Sequence, residues 1–237
     1  GVYGRVLNLN HHLNGKELKV AKDDFTYTEG EMNLSGNSMN IAGEMKQSGG
    51  KIDLNGGKIK VNKNLLQSGG TMYIDGGELD VTGDYYIAQS RSMEKDGTEY
   101  LTKGTGQLQM IKEKDTVKVS GEFLVYSNYN HGGSLTNGEL HVGKGFSQKS
   151  DSDYSTNRNF NATENHKVIF DGTGKQKIYF DTPSYSGFAN VAFENPDIEL
   201  ATGIRGFDLN EDINLTINTE SFGVYGRVLN LNHHLNG

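Results

Sequence analysis

The side chains best suited to chemistry are His11 and His12, adjacent in a run that ends in Asn14-Gly15. Two imidazoles in a turn can hold a transition metal, but a closed site takes three or four ligands. The chain has no cysteine, and no acidic pair lies close by to complete the set, so these histidines read as a solvated corner. His141 sits between two apolar residues, Leu140 and Val142, and so faces outward as plain surface. Asp and Gly are plentiful, yet neither the calcium-binding nonapeptide nor an EF-hand loop is present. Asp75-Gly76-Gly77 has an ordinary explanation as a turn. No nucleophile elbow, zinc-protease helix or phosphate loop occurs, and no pair of carboxylates is set apart by spacing for acid–base work. The sequence therefore assigns no catalytic, cofactor-binding or metal-binding residue, and the expectation is a protein that is not an enzyme. Six ring side chains remain as a candidate ligand face, Tyr100, Tyr126, Tyr129, His131, Tyr154 and Tyr185. Such rings can stack on sugars or on a protein surface; the competing reading is that they fill their own loops.

The elements that position these residues are set by a repeat. Residues 31–90 divide without a gap into three lines of twenty: EMNLSGNSMNIAGEMKQSGG, KIDLNGGKIKVNKNLLQSGG and TMYIDGGELDVTGDYYIAQS. Apolar residues fall in register down the lines: Met32, Ile52, Met72; Leu34, Leu54, Ile74; Met39, Ile59, Leu79; Ile41, Val61, Val81; Met45, Leu65, Tyr85. Within a line they alternate with polar residues, which is strand periodicity with one buried face. Ser35-Gly36-Asn37, Asn55-Gly56-Gly57 and Asp75-Gly76-Gly77 mark tight corners between short strands. A fixed period of this length, with strands and no helical segment, predicts an all-β parallel β-solenoid, each line one rung stacked on the last. Gln47, Gln67 and Gln148 recur two residues past an inward position; facing in, their stacked amides would form a hydrogen-bonded ladder, and the equal alternative is a corner exposed to water.

Before the repeat, Leu7 and Leu9, Leu18 and Val20, and Phe25 and Tyr27 form a first rung. After it, polar insertions interrupt the pattern at about 89–106, 126–133, 149–166 and 181–187. The first three follow the third strand of a rung, after Ile87, Val125 and Gln148, and the fourth is placed the same way after Phe180. They should then project from one corner and line up along the rod, carrying the six candidate rings. The third, rich in Ser, Asp and Asn, reads as a mobile polar segment. From 188 to 222 the apolar residues suggest further strands without clear corners. Eight or nine rungs at roughly 4.8 Å each give a unit of about 40 Å.

Bulk composition narrows the partners. A formal charge of −7 argues against a phosphate-backbone binder, so no nucleic acid is expected. No apolar run is long enough to span a bilayer, so no membrane insertion is expected. Hydrophobic content of 34% is low for a globule but suits a thin rod whose strands are wet on one side.

Residues 1–15, GVYGRVLNLNHHLNG, recur identically at 223–237. The favoured reading is one tandem unit, 1–222, followed by the start of the next, 223–237; the competing one is a segment duplicated by design to close the last rung. Leu7-Asn8-Leu9 has the form of Met32-Asn33-Leu34, which makes it an opening strand. Val6, Leu7 and Leu9, with their second copies Val228, Leu229 and Leu231, are the expected junction.

The rungs of 31–90, with L-x-V-x-G-D at 79–84 and G-E-L-x-V at 138–142, resemble the stacked repeats of bacterial secreted surface proteins, the filamentous-haemagglutinin-like adhesins. The resemblance implies export to the cell surface and a fibre or stalk, with roles in adhesion or biofilm. It carries over no functional residue. Together these readings predict a structural module of an extracellular filament whose partners are copies of itself. The alternatives are a module binding glycan or a cell-surface protein through the insertion face, and a carbohydrate-active β-helix enzyme.

Overall fold

The computed structural model describes residues 7–8, 17–93, 99–151, 156–205 and 214–225. The chain is an all-β parallel solenoid of about 9 turns, with about 21 residues per turn. Each turn contributes a strand to three walls in a fixed order. The first wall contains Leu7–Asn8, Glu31–Asn33, the second halves of Met45–Asp53 and Leu65–Tyr73, and Gln107–Gln109. The second wall is an eight-stranded sheet running from Glu17–Val20 to Asn190–Phe193. The third begins with Phe25–Tyr27 and the first halves of the two long strands. It continues through Tyr85–Ile87, Phe123–Val125, Phe146–Gln148, Gln176–Phe180 and Asp197–Leu200 to Asn214–Ile217. Because the long strands pass through the corner between them, the first and third walls belong to one sheet.

The register matches the sequence columns. Leu7 pairs with Met32 and Asn8 with Asn33, as their matching triplets predict. In the third wall one inward column holds Phe25, Met45, Leu65, Tyr85, Phe123, Phe146, Ile178, Leu200 and Ile217, one residue per turn. The first eight are buried, since each is covered by the turn above. Ile217, the last, is 48% exposed.

Corners explain the polar residues between strands. At Asn55 and Gly56 the backbone enters the left-handed region (φ 42° and 73°), and Asp53 Oδ1 accepts the Asn55 N–H at 3.1 Å. Asn tolerates that conformation and Gly has no penalty there. At the next corner a side chain of one turn supports the backbone of the turn above. Asp24 Oδ1 accepts the Glu44 N–H at 2.8 Å, Asn64 Oδ1 the Asp84 N–H at 2.9 Å, and Asp84 Oδ1 the Glu122 N–H at 2.8 Å. Gly43, Gly83 and Gly121 lie against those oxygens, and a Cβ at any of them would collide with the side chain and backbone below. The G-D step of the sequence is thus a corner device.

All four insertions leave the same corner, between the third and first walls, as expected. They stack on each other: Gly104 bridges Ser127, and Asn161 bridges Gly187. The first carries an antiparallel hairpin, Ser90–Met93 with Glu99–Thr102. The third differs from its polar reading. Residues 156–161 form tight turns that place Phe160 in the core, with Thr156 and Asn159 also buried. Phe160, Phe188, Phe180 and Phe123 surround Phe146 at centroid distances of 4.7, 4.9, 5.1 and 5.7 Å. The insertions therefore supply core to the turns that bear them. Beyond Phe188 the first wall resumes at Ile204–Arg205, which pairs in parallel with Val224–Tyr225. No helix among the described residues is long and apolar enough to cross a membrane.

Candidate functional site

The expected ligand face is only partly assembled. Tyr100 stands exposed on the hairpin, and Tyr185 is exposed on the fourth insertion with Arg158 5.8 Å from its ring. Tyr126 is half-buried and donates to Asp151 Oδ2 at 3.2 Å, an oxygen that also pairs with Lys103 at 3.1 Å. Tyr129 is half-buried with its ring 5.4 Å from that of His131. Tyr154 lies outside the described residues. His131 is a correction: it is 1% exposed and faces the interior, where its Nε2 accepts the Leu108 N–H at 3.1 Å. The backbone N–H of a strand needs a partner when buried, and an imidazole supplied by the second insertion provides it. The five described rings divide between solvent and loop packing.

A second buried imidazole, His166, packs on Phe160, with ring centroids 6.1 Å apart. Among the described residues neither of its nitrogens has a hydrogen-bond partner, nor does Nδ1 of His131. Burial drives the pKa of His131 down to about 4; burial and the nearby His131 drive that of His166 down to about 3. Sequence spacing gave no sign of this pair, because each histidine reaches the core from an insertion.

His141 faces outward as expected, yet it is not plain surface. Its Nδ1 lies 2.8 Å from Asp171 Oδ2, and its Nε2 lies 3.7 Å from Glu139 Oε2. Two carboxylates about one imidazole make a polar cluster on the surface. Among the described residues no group of three or more His, Cys, Asp or Glu is placed to hold a metal ion. His11 and His12 lie outside those residues.

Gln47, Gln67 and Gln148 face inward and are buried, but their amides do not pair with one another. Gln47 Nε2 donates to the Thr71 carbonyl at 3.0 Å and Gln67 Nε2 to the Gln107 carbonyl at 2.8 Å, each tying the corner to the turn above. Gln148 Nε2 donates to Asn159 Oδ1 at 2.9 Å, which anchors the third insertion. In parallel stacks a glutamine finds the next turn's backbone before it finds the next amide.

Of the junction residues, Leu7 lies in the first-wall strand Leu7–Asn8, while Val6, Leu9, Val228, Leu229 and Leu231 lie outside the described residues. What the structure adds is Val224–Tyr225, inside the second copy of the duplicated segment, seated on Ile204–Arg205. Arg205 in turn lies against Gly187 and donates to Asn161 Oδ1 at 2.9 Å, which places this pairing in line with the first wall. Part of the second copy, the counterpart of Val2-Tyr3 and not of Leu7-Asn8, thus lies in line with the first wall at the other end. No protein-family model, curated protein or solved structure matches the chain.

Proposed function

We propose that the chain is one unit, 1–222, of a longer tandem solenoid that serves as a structural filament or adhesin stalk on a bacterial cell surface. The observation that carries this reading is the exposed Ile217. It stands in the inward column of Leu200 and Phe25 and is the last described residue of that column. In a tandem array the next residue of that column would be the following unit's copy of Phe25. Val224–Tyr225, within the duplicated segment, pairs in parallel with Ile204–Arg205, which supports this reading. On this reading the unit would hold a whole number of turns, and successive units would continue the same ladders with no spacer. Open strand edges at one end of a unit are covered by the next, which is how solenoids avoid uncontrolled pairing.

The mechanism is mechanical: stiffness follows from continuous hydrogen-bonded walls around one apolar core. Nine turns at roughly 4.8 Å give about 43 Å per unit. The test is a protein of two tandem units studied by small-angle scattering and electron microscopy. A straight rod of about twice the single-unit length supports the proposal. Two bodies joined by a hinge would overturn it. Export would be tested separately, by locating the native product in cell-surface and cytosolic fractions.

A further inference from the structure

The edge strand Ile204–Arg205 is anchored on the side of the earlier turns. Ile204 is 1% exposed and belongs to the core. Arg205 lies against Gly187, and its guanidinium donates to Asn161 Oδ1 and to the Tyr185 carbonyl, each at 2.9 Å. The segment seated on this strand is held far less. Val224–Tyr225 pairs with it in parallel over two positions, Ile204 with Val224 and Arg205 with Tyr225, and both seated residues are 41% exposed. The Ile204 N–H donates to the Gly223 carbonyl at 2.9 Å. The Tyr225 ring lies over glycine on both strands. A Cβ at Gly203 would come within 2.7 Å of the Gly223 oxygen and 3.0 Å of the ring, and one at Gly223 within 2.7 Å of the Tyr225 hydroxyl. The seat thus combines a backbone edge with a bare floor for one aromatic ring.

Those two properties define its occupant. A backbone edge takes an extended segment by strand addition, and the side-chain floor sets which segment fits. Here the segment needs Gly at its first position and Tyr two residues on, because a side chain at the first position would strike the ring. Gly223-Val224-Tyr225 meets that requirement, and Gly1-Val2-Tyr3, which opens the identical segment, meets it equally. An identical element is exchanged between copies at low cost, since the contacts given up within one chain are regained between two. We propose that Ile204–Arg205 with Gly203 is a strand-addition site whose partner is residues 1–3 of a second copy of this chain, in the place taken by the chain's own 223–225. The contrast between a pinned edge and a lightly held occupant suits exchange: a preorganised receiving strand loses little when the segment leaves.

The probe is a fluorescein-labelled peptide of residues 1–15, followed by anisotropy as the full chain is added. The receiving protein carries Tyr225→Pro, which strips the ring and the ladder N–H from the chain's own segment and leaves the seat intact. Saturable binding to this variant is expected, and roughly tenfold or more weaker binding to the parent, whose own segment competes at a local concentration on the order of millimolar. A peptide carrying Tyr3→Pro should bind the variant weakly, as should the normal peptide once Gly203→Ala is added. Tyr225 is exposed, so Tyr225→Pro should melt with the parent, and its thermal transition is the control for folding. A measurement independent of that variant is Gly203→Ala in the parent, which should speed amide hydrogen exchange at Val224 and Tyr225 and leave the second wall unchanged. Absence of saturable binding, equal binding by parent and Tyr225→Pro, equal binding of the Tyr3→Pro peptide, or unaltered exchange in Gly203→Ala would each overturn the proposal. Exchange at this seat rests on the tandem reading of the duplication, yet the two fail separately. A hinged two-unit protein leaves peptide binding untouched, and a straight rod without peptide binding removes the exchange alone.

Discussion

His131 Nε2 accepts a backbone N–H, so its ring must be neutral in the folded chain, and no acidic side chain among the described residues compensates a charge on it or on His166. In the unfolded chain both would take up protons near the ordinary histidine value of 6.5. Between there and about 4 the unfolded state binds more protons than the folded one, so stability falls as pH falls. Each buried histidine contributes a slope of roughly 1.4 kcal/mol per pH unit across its window. Chemical denaturation at a series of pH values between 7 and 5 (about two units) should show this slope. His131→Gln with His166→Leu should flatten it, because glutamine keeps an acceptor for Leu108 and leucine needs no partner. A parent chain with flat stability over that range would refute the assignment. The glutamines give a second contrast at this scale. Gln67 Oε1 accepts the buried Tyr85 hydroxyl at 2.6 Å, whereas Gln47 Oε1 has no protein partner. Gln67→Leu strands a hydroxyl as well as a carbonyl and should cost about 1–3 kcal/mol more than Gln47→Leu. Equal losses on thermal melting would show that the tyrosine contact adds nothing.

At the scale of the element, corners decide whether turns can stack. Gly83 lets Asn64 reach the backbone above it, so Gly83→Ala forces that corner apart and should destabilise by about 1–3 kcal/mol. Gly174 meets nothing within 4 Å, and alanine there should leave the melting temperature nearly unchanged. If both variants melted alike, corner packing would not be the constraint described. These corners and the strands between them were legible in the sequence because each turn solves the same problem, so Met32, Ile52 and Met72 recur at one spacing. Phe160, Phe188 and the buried histidines were not legible. They answer a need that arises once, where insertions widen a turn and a bulky ring must fill the added space. A polar neighbourhood such as Ser-Asp-Asn around Phe160 then masks a core residue.

At the scale of the whole molecule, the two ends are unlike its middle. Leu18 and Val20 of the first turn are only partly buried, although Met39 and Ile41, which pair with them one turn on, are fully so. At the far end Ile217, Val224 and Tyr225 are exposed at 48%, 41% and 41%. An inward-facing column open to water is costly, since each large apolar side chain gains roughly 1.5–3 kcal/mol when buried. A second chain can supply the missing layer, because its first turn offers the strands that a following unit would offer. The isolated chain should therefore associate end to end as concentration rises, giving species whose length grows in single-unit steps by sedimentation velocity. Ile217→Lys with Tyr225→Lys places charges on that end at positions already facing water. The double variant should keep the parent's melting temperature and lose the larger species. A parent that stays strictly monomeric at high concentration would sink the idea, as would association that survives both lysines, because contact would then run through the sides of the rod.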